Sequence, residues 1–319
     1  MEKAQVKHAP RDHGGGLDLA VLQFGGTRDA WIDLSTGINP HPFPFTSVPT
    51  DAWTALPDKA AQNALIDAAR AFWSVPAEAA ILAVPGASAV ISQIPRLRAP
   101  GTVRIVGPTY NEHAAAFAAQ DWAVTEDNQP ADAQVIVHPN NPTGQCWQPQ
   151  DLNAPLRIID ESFCDVMPDH SMIAQATRDD TLVLKSFGKF WGLAGVRLGF
   201  VIGPPALVNQ LADMLGPWPV SGAALHIGRQ ALTDPGWVNS TRVRLETDAN
   251  RLDNLMVQAG AQMAGGTTLF RLYEVDDAKG WQRKLAQSHI WSRTFPYSRT
   301  WLRLGLPPVD GWSTLETAI

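Results

Sequence analysis

Apolar residues in this chain come in short runs separated by glycine, proline and polar turns. AAILAV (79–84), TVRIV (102–106), AQVIV (133–137), LRII (156–159) and TLVL (181–184) each predict a buried strand. Between the runs the spacing changes. GASAVISQIPRL (86–97) and EHAAAFAAQ (112–120) place apolar positions three and four residues apart, the spacing of a helix face. AAQNALIDAARAF (60–72) does the same, with Leu65, Ile66, Ala69 and Phe72 on one side. Strand, glycine turn and helix in repetition predict an α/β fold with a mostly parallel sheet covered on both faces.

The alternation fades after about Asp234. STRVRLETDANRLDNLMVQAG predicts one long amphipathic helix; TTLFRLYEV, a helix around GWQRKLAQSHI and RTWLRLGL predict a smaller α+β lobe. NPHPFPFTSVP (39–49) is too rich in proline for a helix or a central strand and reads as an extended connection.

Composition narrows the function classes. With 319 residues, 45% hydrophobic and 18% charged, the chain supports a sizeable core. No segment approaches a membrane span, and the first residues lack the apolar stretch of a secretory signal, so the cytoplasm is the expected compartment. Cys146 and Cys164 make neither a disulfide framework nor a metal cluster, so no metal is expected. A net charge of −6 argues against nucleic acid, whose binding needs a basic face.

The strand ends carry the chemistry. Ligands of parallel sheets bind beyond the carboxyl ends of the strands. Gly86, Ala87 and Ser88 follow the first run, Tyr110 follows the second, Asn141 the third, Asp160 ends the fourth, and Ser186 and Lys189 follow the fifth, with Arg197 eight residues on. Together they offer a phosphate cradle, an amide donor, a carboxylate and a sequestered amine. Pyridoxal 5′-phosphate wants all of these. Lys189 would hold its aldehyde, Asp160 would keep its ring nitrogen protonated, Asn141 would donate to the ring oxygen, and Tyr110 would stack on the ring. Ser186, Arg197 and the backbone at Gly86, Ala87 and Ser88 would take the phosphate. Lys185, by contrast, reads as a bystander that snorkels to solvent.

SFGKFWGLAGVRLGF, HPNNPTG and IIDESF resemble, in order and spacing, the motifs of fold-type-I pyridoxal-phosphate enzymes, the aspartate aminotransferase superfamily. The resemblance implies a large cofactor domain over 46–231, a small domain made from both termini, 1–45 with 232–319, and a homodimer with sites at the interface. HGGGLDLA, DLSTGINPHPFP and RTWLRLGLP further resemble the threonine-phosphate decarboxylases of cobalamin biosynthesis, whose nearest relatives are the histidinol-phosphate aminotransferases. That likeness implies decarboxylation of L-threonine O-3-phosphate to (R)-1-amino-2-propanol O-2-phosphate, with Lys189, Tyr110 or water returning the proton. The alternatives are a histidinol-phosphate-type aminotransferase and a ligand-sensing domain. Arg303 would clamp the substrate carboxylate beside Gly37, Ile38 and Asn39, and His13 or Arg293 would take the phosphate; Arg299, a third candidate, reads better as a surface residue. Three positions depart from the pattern. Leu56 stands where a tyrosine reaches across the dimer, Phe163 replaces a tyrosine facing the ring oxygen, and Gly188 replaces a second serine.

Overall fold

The computed structural model describes residues 11–319; the first ten residues of the expected small unit lie outside the described residues. A two-residue strand, β1 (Ile32–Asp33), pairs in parallel with a late strand of the chain. Seven strands then form the central sheet: β2 (Ala80–Val84), β3 (Thr102–Ile105), β4 (Ala123–Thr125), β5 (Ala133–Val137), β6 (Leu156–Asp160), β7 (Thr181–Ser186) and β8 (Gly199–Gly203). Their order is β2-β8-β7-β6-β5-β3-β4, and only β8 runs against its neighbours. Strands β5, β7 and β8 are buried almost throughout, as expected for a sheet covered on both faces.

The flanking helices begin where the sequence supplies caps. Asp58 accepts a 2.8 Å bond from Ala61 N at the start of the Lys59–Phe72 helix. Asp234 accepts from Trp237 N at the start of the 24-residue Pro235–Gln258 helix, whose first residue is proline. Both arrangements satisfy N–H groups that a helix start leaves without partners, and proline has none to satisfy. Residues 39–49 contain neither helix nor strand, as their prolines require.

Beyond the long helix lie β9 (Gln262–Thr267), β10 (Phe270–Glu274), β11 (Ile290–Trp291), β12 (Arg293–Phe295) and β13 (Ser298–Gly305). β11 is the partner of β1, and the other four form an antiparallel sheet in the order β12-β13-β10-β9. Strand β9 packs against the loop that follows β5. Gly266 N donates to Thr143 O at 2.9 Å, and a Cβ on Gly144 would run into the Gly266 backbone.

Tryptophans fill the core beneath the Lys189 loop. Trp191 is fully buried, stacked between Phe187 at 5.0 Å and Trp237 at 5.5 Å, each 13° from parallel. The sequence suggests that Trp191 lines a site or a subunit contact; in the structure it is core. Trp218 and Trp53 lie largely exposed.

Candidate active site

Strand polarity builds the site. β5, β6 and β7 are parallel, so Val137, Asp160 and Ser186 end at one edge of the sheet, and the Asn141 and Lys189 loops follow them. A cavity of about 210 Å³ opens there, lined by Ala87, Ser88, Tyr110, Asn141, Asp160, Ser186, Lys189 and Arg197, with Ser162, Phe163 and Gly188 among its other walls. A second cavity of about 370 Å³ shares Tyr110, Asn141, Phe163 and Lys189 and continues to His13, Gly37, Arg293, Tyr297 and Arg303. The inner cavity therefore opens into an outer one across the Lys189 side chain.

Lys189 is desolvated. Burial, then the charges of Arg303 and Arg197, lower its pKa to about 8, partly offset by Asp160. Its ammonium stands 5.1 Å over the Phe163 ring. The main chain is fixed as well, because Lys189 O accepts from Asn39 N at 3.0 Å and from Gly192 N at 3.1 Å.

Asp160 is 2% exposed and fully partnered. Burial alone would raise its pKa. The hydrogen bond and charge of His113, then the hydroxyl and N–H of Ser162, outweigh that and hold it below the usual carboxylate range. His113 Nε2 lies 2.8 Å from Oδ2, and Ser162 N and Oγ donate to Oδ1 at 3.0 and 2.5 Å. Tyr110 caps the helix that carries His113, and the two rings meet edge to face at 6.0 Å. Burial, then the Asp160 charge, push the Tyr110 phenol up, so it stays protonated.

The anion-binding elements lie at opposite ends. In the inner cavity Ser186, Ser88 and Arg197 converge. Gly86 has φ 81°, and a Cβ there would sit 2.6 Å from Arg197 Nη2, so glycine is what lets the guanidinium approach. In the outer cavity Arg303 is 5% exposed; Nη1 donates to Asn141 Oδ1, Nη2 to Ser35 O at 2.6 Å, and the buried Nε has no partner. Burial, then the Arg293 charge, bring its pKa down to about 10.

Several expectations need correction. Asn39 and Ile38 do not line the pocket; only Gly37 of that trio does. The Asn39 side chain is buried, donating to Phe190 O and accepting from Arg244 Nη2, each at 2.8 Å, so it braces the lysine loop. Gly86 stands behind the cavity rather than lining it. Arg299 is exposed and absent from both cavities, in line with its reading as a surface residue. Lys185 does not snorkel. It is 1% exposed, 2.5 Å from Glu161 Oε2 and 3.6 Å from Asp165 Oδ1, on the opposite face of the sheet from Ser186.

The sequence reading missed His113, Ser162, Ser35 and Tyr297. For His113 a signal existed: it follows Tyr110 by three residues at a helix start, so both sit on one face. No local signal marked the others.

The chain belongs to the class I and II aminotransferase family, whose model matches residues 123–311. Within that breadth, it is 40% identical to the threonine-phosphate decarboxylase of a Sinorhizobium species, over 94% of each chain. It is 36% identical to the threonine-phosphate decarboxylase of Pseudomonas aeruginosa, over 97% of each. In three dimensions it resembles the histidinol-phosphate aminotransferase of Sinorhizobium meliloti in complex with pyridoxal 5′-phosphate, with TM-score 0.78, 17% identity, 99% of this chain and 97% of the other. At that identity the last likeness speaks for the fold.

Proposed function

We propose that the protein is a pyridoxal-phosphate-dependent decarboxylase of L-threonine O-3-phosphate, forming (R)-1-amino-2-propanol O-2-phosphate for cobalamin synthesis. The inner cavity fits the cofactor on chemical grounds. A sequestered lysine with its pKa near 8, an ionised carboxylate at the cavity wall, and a guanidinium beside hydroxyls at the far end match its aldehyde, ring nitrogen and phosphate. When bound, the cofactor supplies a carbonyl for covalent attachment and a ring that accepts the electron pair left at Cα.

The residues divide the work as follows. Lys189 would hold the cofactor and would be the base or acid near the reacting carbon. Asp160, kept charged and oriented by His113 and Ser162, would hold the ring nitrogen protonated. Asn141 would donate to the ring oxygen, and Tyr110 would stack on the ring. Phe163 has no hydroxyl to offer there. Ser186, Arg197 and the backbone at Ala87 and Ser88 receive the cofactor phosphate. The large unit, 46–231, carries these groups, while the unit of 1–45 with 232–319 brings the substrate-binding residues.

The observation that carries the substrate assignment is the pair of cations in the outer cavity. Arg303 has an unpartnered buried Nε, which a carboxylate would satisfy, and Arg293 lines the same cavity. Threonine phosphate brings two anionic groups for two guanidiniums. Histidinol phosphate has no carboxylate for Arg303. Supporting the same reading is the likeness to two threonine-phosphate decarboxylases over nearly their whole length.

A homodimer completes the reading. Phe45, Trp53, Leu56 and Trp218 are large apolar side chains left exposed, of the kind a second copy would cover. Leu56, 68% exposed, carries no hydroxyl to lend to a partner's cofactor. A small charged metabolite as substrate fits a cytoplasmic enzyme, and no helix among the described residues is long and apolar enough to cross a membrane.

The test is direct. Purified protein with the cofactor and L-threonine phosphate should release carbon dioxide and leave aminopropanol phosphate. No carbon dioxide, with amino transfer to 2-oxoglutarate instead, rejects the assignment in favour of an aminotransferase.

A further inference from the structure

The outer cavity already contains an anion. Asp12 Oδ1 lies 2.6 Å from Arg293 Nη1, and the carboxylate lines the cavity along with Arg303 and Lys189. The same Nη1 donates to His13 O at 2.6 Å, and the guanidinium packs 5.4 Å from the Phe295 ring. The Arg293 side chain is 13% exposed, whereas Asp12 is 45% exposed, so the arginine is the fixed partner and the acid the solvated one.

Asp12 sits on a short arm that is held to the start of the Asn111–Ala118 helix. Arg11 and His13 both pair with Glu112, at 3.0 and 2.8 Å, and Asn111 Nδ2 donates to Asp12 O at 2.9 Å. Gly15 and Gly16 follow, with φ of 98° and 50°, and nothing lies within 4 Å of where a Cβ on either would stand. Their left-handed backbone and empty surroundings form a joint between the arm and the Leu17–Phe24 helix. Gly14 cannot take a side chain, because a Cβ would strike Ser35 O, and Gly15 N is anchored to Ser35 Oγ at 2.7 Å.

We infer that Asp12 is an internal stand-in for the substrate phosphate: its carboxylate holds Arg293 in the empty enzyme and is displaced by the phosphomonoester. This rests on the reading above that Arg293 receives the phosphate. A phosphate dianion outcompetes one carboxylate for a guanidinium because it brings more charge and more acceptor oxygens. A substrate lacking the phosphate cannot, and leaves the acid in place. Displacement costs the phosphorylated substrate the Asp12–Arg293 contact, so Asp12 weakens phosphate binding while it keeps the guanidinium paired in the empty site.

The experiment compares holoenzyme carrying Asp12→Asn, Arg293→Ala or both, with inorganic phosphate as the probe in equilibrium binding and L-threonine phosphate in kinetics. Asn keeps the shape and removes the charge. Asp12→Asn should bind inorganic phosphate about 1.4- to 5-fold more tightly, the range a partly exposed ion pair supports. KM for L-threonine phosphate should fall in the same proportion, and the double variant should lose both gains. If Arg293→Ala weakens phosphate binding while Asp12→Asn leaves it unchanged or weaker, Asp12 is a latch and the inference fails, though the reading of Arg293 stands. Unchanged phosphate binding in Arg293→Ala overturns that reading and the inference with it.

Discussion

His113 and Asp160 are joined by a 2.8 Å contact between Nε2 and Oδ2, with both side chains essentially excluded from solvent. Desolvation is the largest influence on this carboxylate and acts to raise its pKa; the imidazole is the principal group that reverses it. His113 is therefore a positioning residue, acting on the cofactor site through Asp160. His113→Leu leaves Asp160 buried with only Ser162 as donor, so its pKa rises. Loss of a hydrogen bond to a buried charge costs about 1.5–3 kcal/mol, so turnover should fall roughly 10- to 100-fold. A purely structural role would lower Tm and leave the pH profile in place. Here the acid limb of kcat should also move to higher pH, read from steady-state rates between pH 4 and 9.

The desolvated lysine predicts an unusual stability profile for the apoprotein. Lys189 has a folded pKa of about 8 against 10.5 for a free side chain. Below pH 8 both states bind the proton, and the cost of burying the charge is fully present. Between about 8 and 10.5 the unfolded chain holds a proton that the folded chain has released, so this residue's contribution to stability rises with pH. Lys189→Met should remove that rise, stabilise the apoprotein near pH 7, and abolish covalent attachment of the cofactor. Urea titrations at several pH values, with borohydride trapping for the attachment, provide the check. Equal pH slopes in the two proteins would refute the desolvation argument.

Lys185 predicts the opposite behaviour to Lys189, four residues away. Glu161 accepts from Lys185, from Ser171 Oγ at 2.7 Å and from Met172 N at 2.5 Å. Asp165 accepts the indole N–H groups of Trp73 and Trp191 at 2.8 and 3.1 Å. Lys185→Met leaves two buried carboxylates without their cation, a loss of about 3–5 kcal/mol by chemical denaturation. Lys185→Arg should recover part of it. A change under about 1 kcal/mol in Lys185→Met would mean that the pair is not a buried charge network.

The contrast between the two lysines shows where the sequence is legible. Strand alternation places Ser186 and Asp160 toward one face and Lys185 and Glu161 toward the other, so the sheet edge and its Lys189 loop follow from local pattern alone. What stood opposite Lys185 did not follow, because Glu161 and Asp165 approach it only through the β6–β7 pairing and the turn after β6. Read singly, a lysine in a strand looks like a solvated one. Asn39 was misplaced for a related reason: its partners, Phe190 and Arg244, lie 151 and 205 residues away. Arg303 and Lys189 were legible because their neighbours form motifs. Asp12 was not, since its meaning depends on Arg293, 281 residues distant.

Gly86 gives the sharpest steric prediction. Its backbone is left-handed and its missing Cβ leaves the space beside Arg197 Nη2 open; Arg197 itself has a positive φ of 55°. Gly86→Ala has two costs, a strained φ of 81° and a displaced guanidinium. The strain is on the order of 1–2 kcal/mol, and it acts on stability. The displacement acts on the phosphate end of the cofactor site and should weaken cofactor retention at least 10-fold beyond any loss of Tm. Arg197→Ala separates the two effects, since it removes the guanidinium without straining residue 86. If the alanine at 86 lowers Tm yet retains the cofactor as the unaltered protein does, while Arg197→Ala releases it, the glycine serves the turn alone. Matching losses of cofactor in both variants would instead tie the glycine to the guanidinium's approach, because no other consequence of the two substitutions is shared.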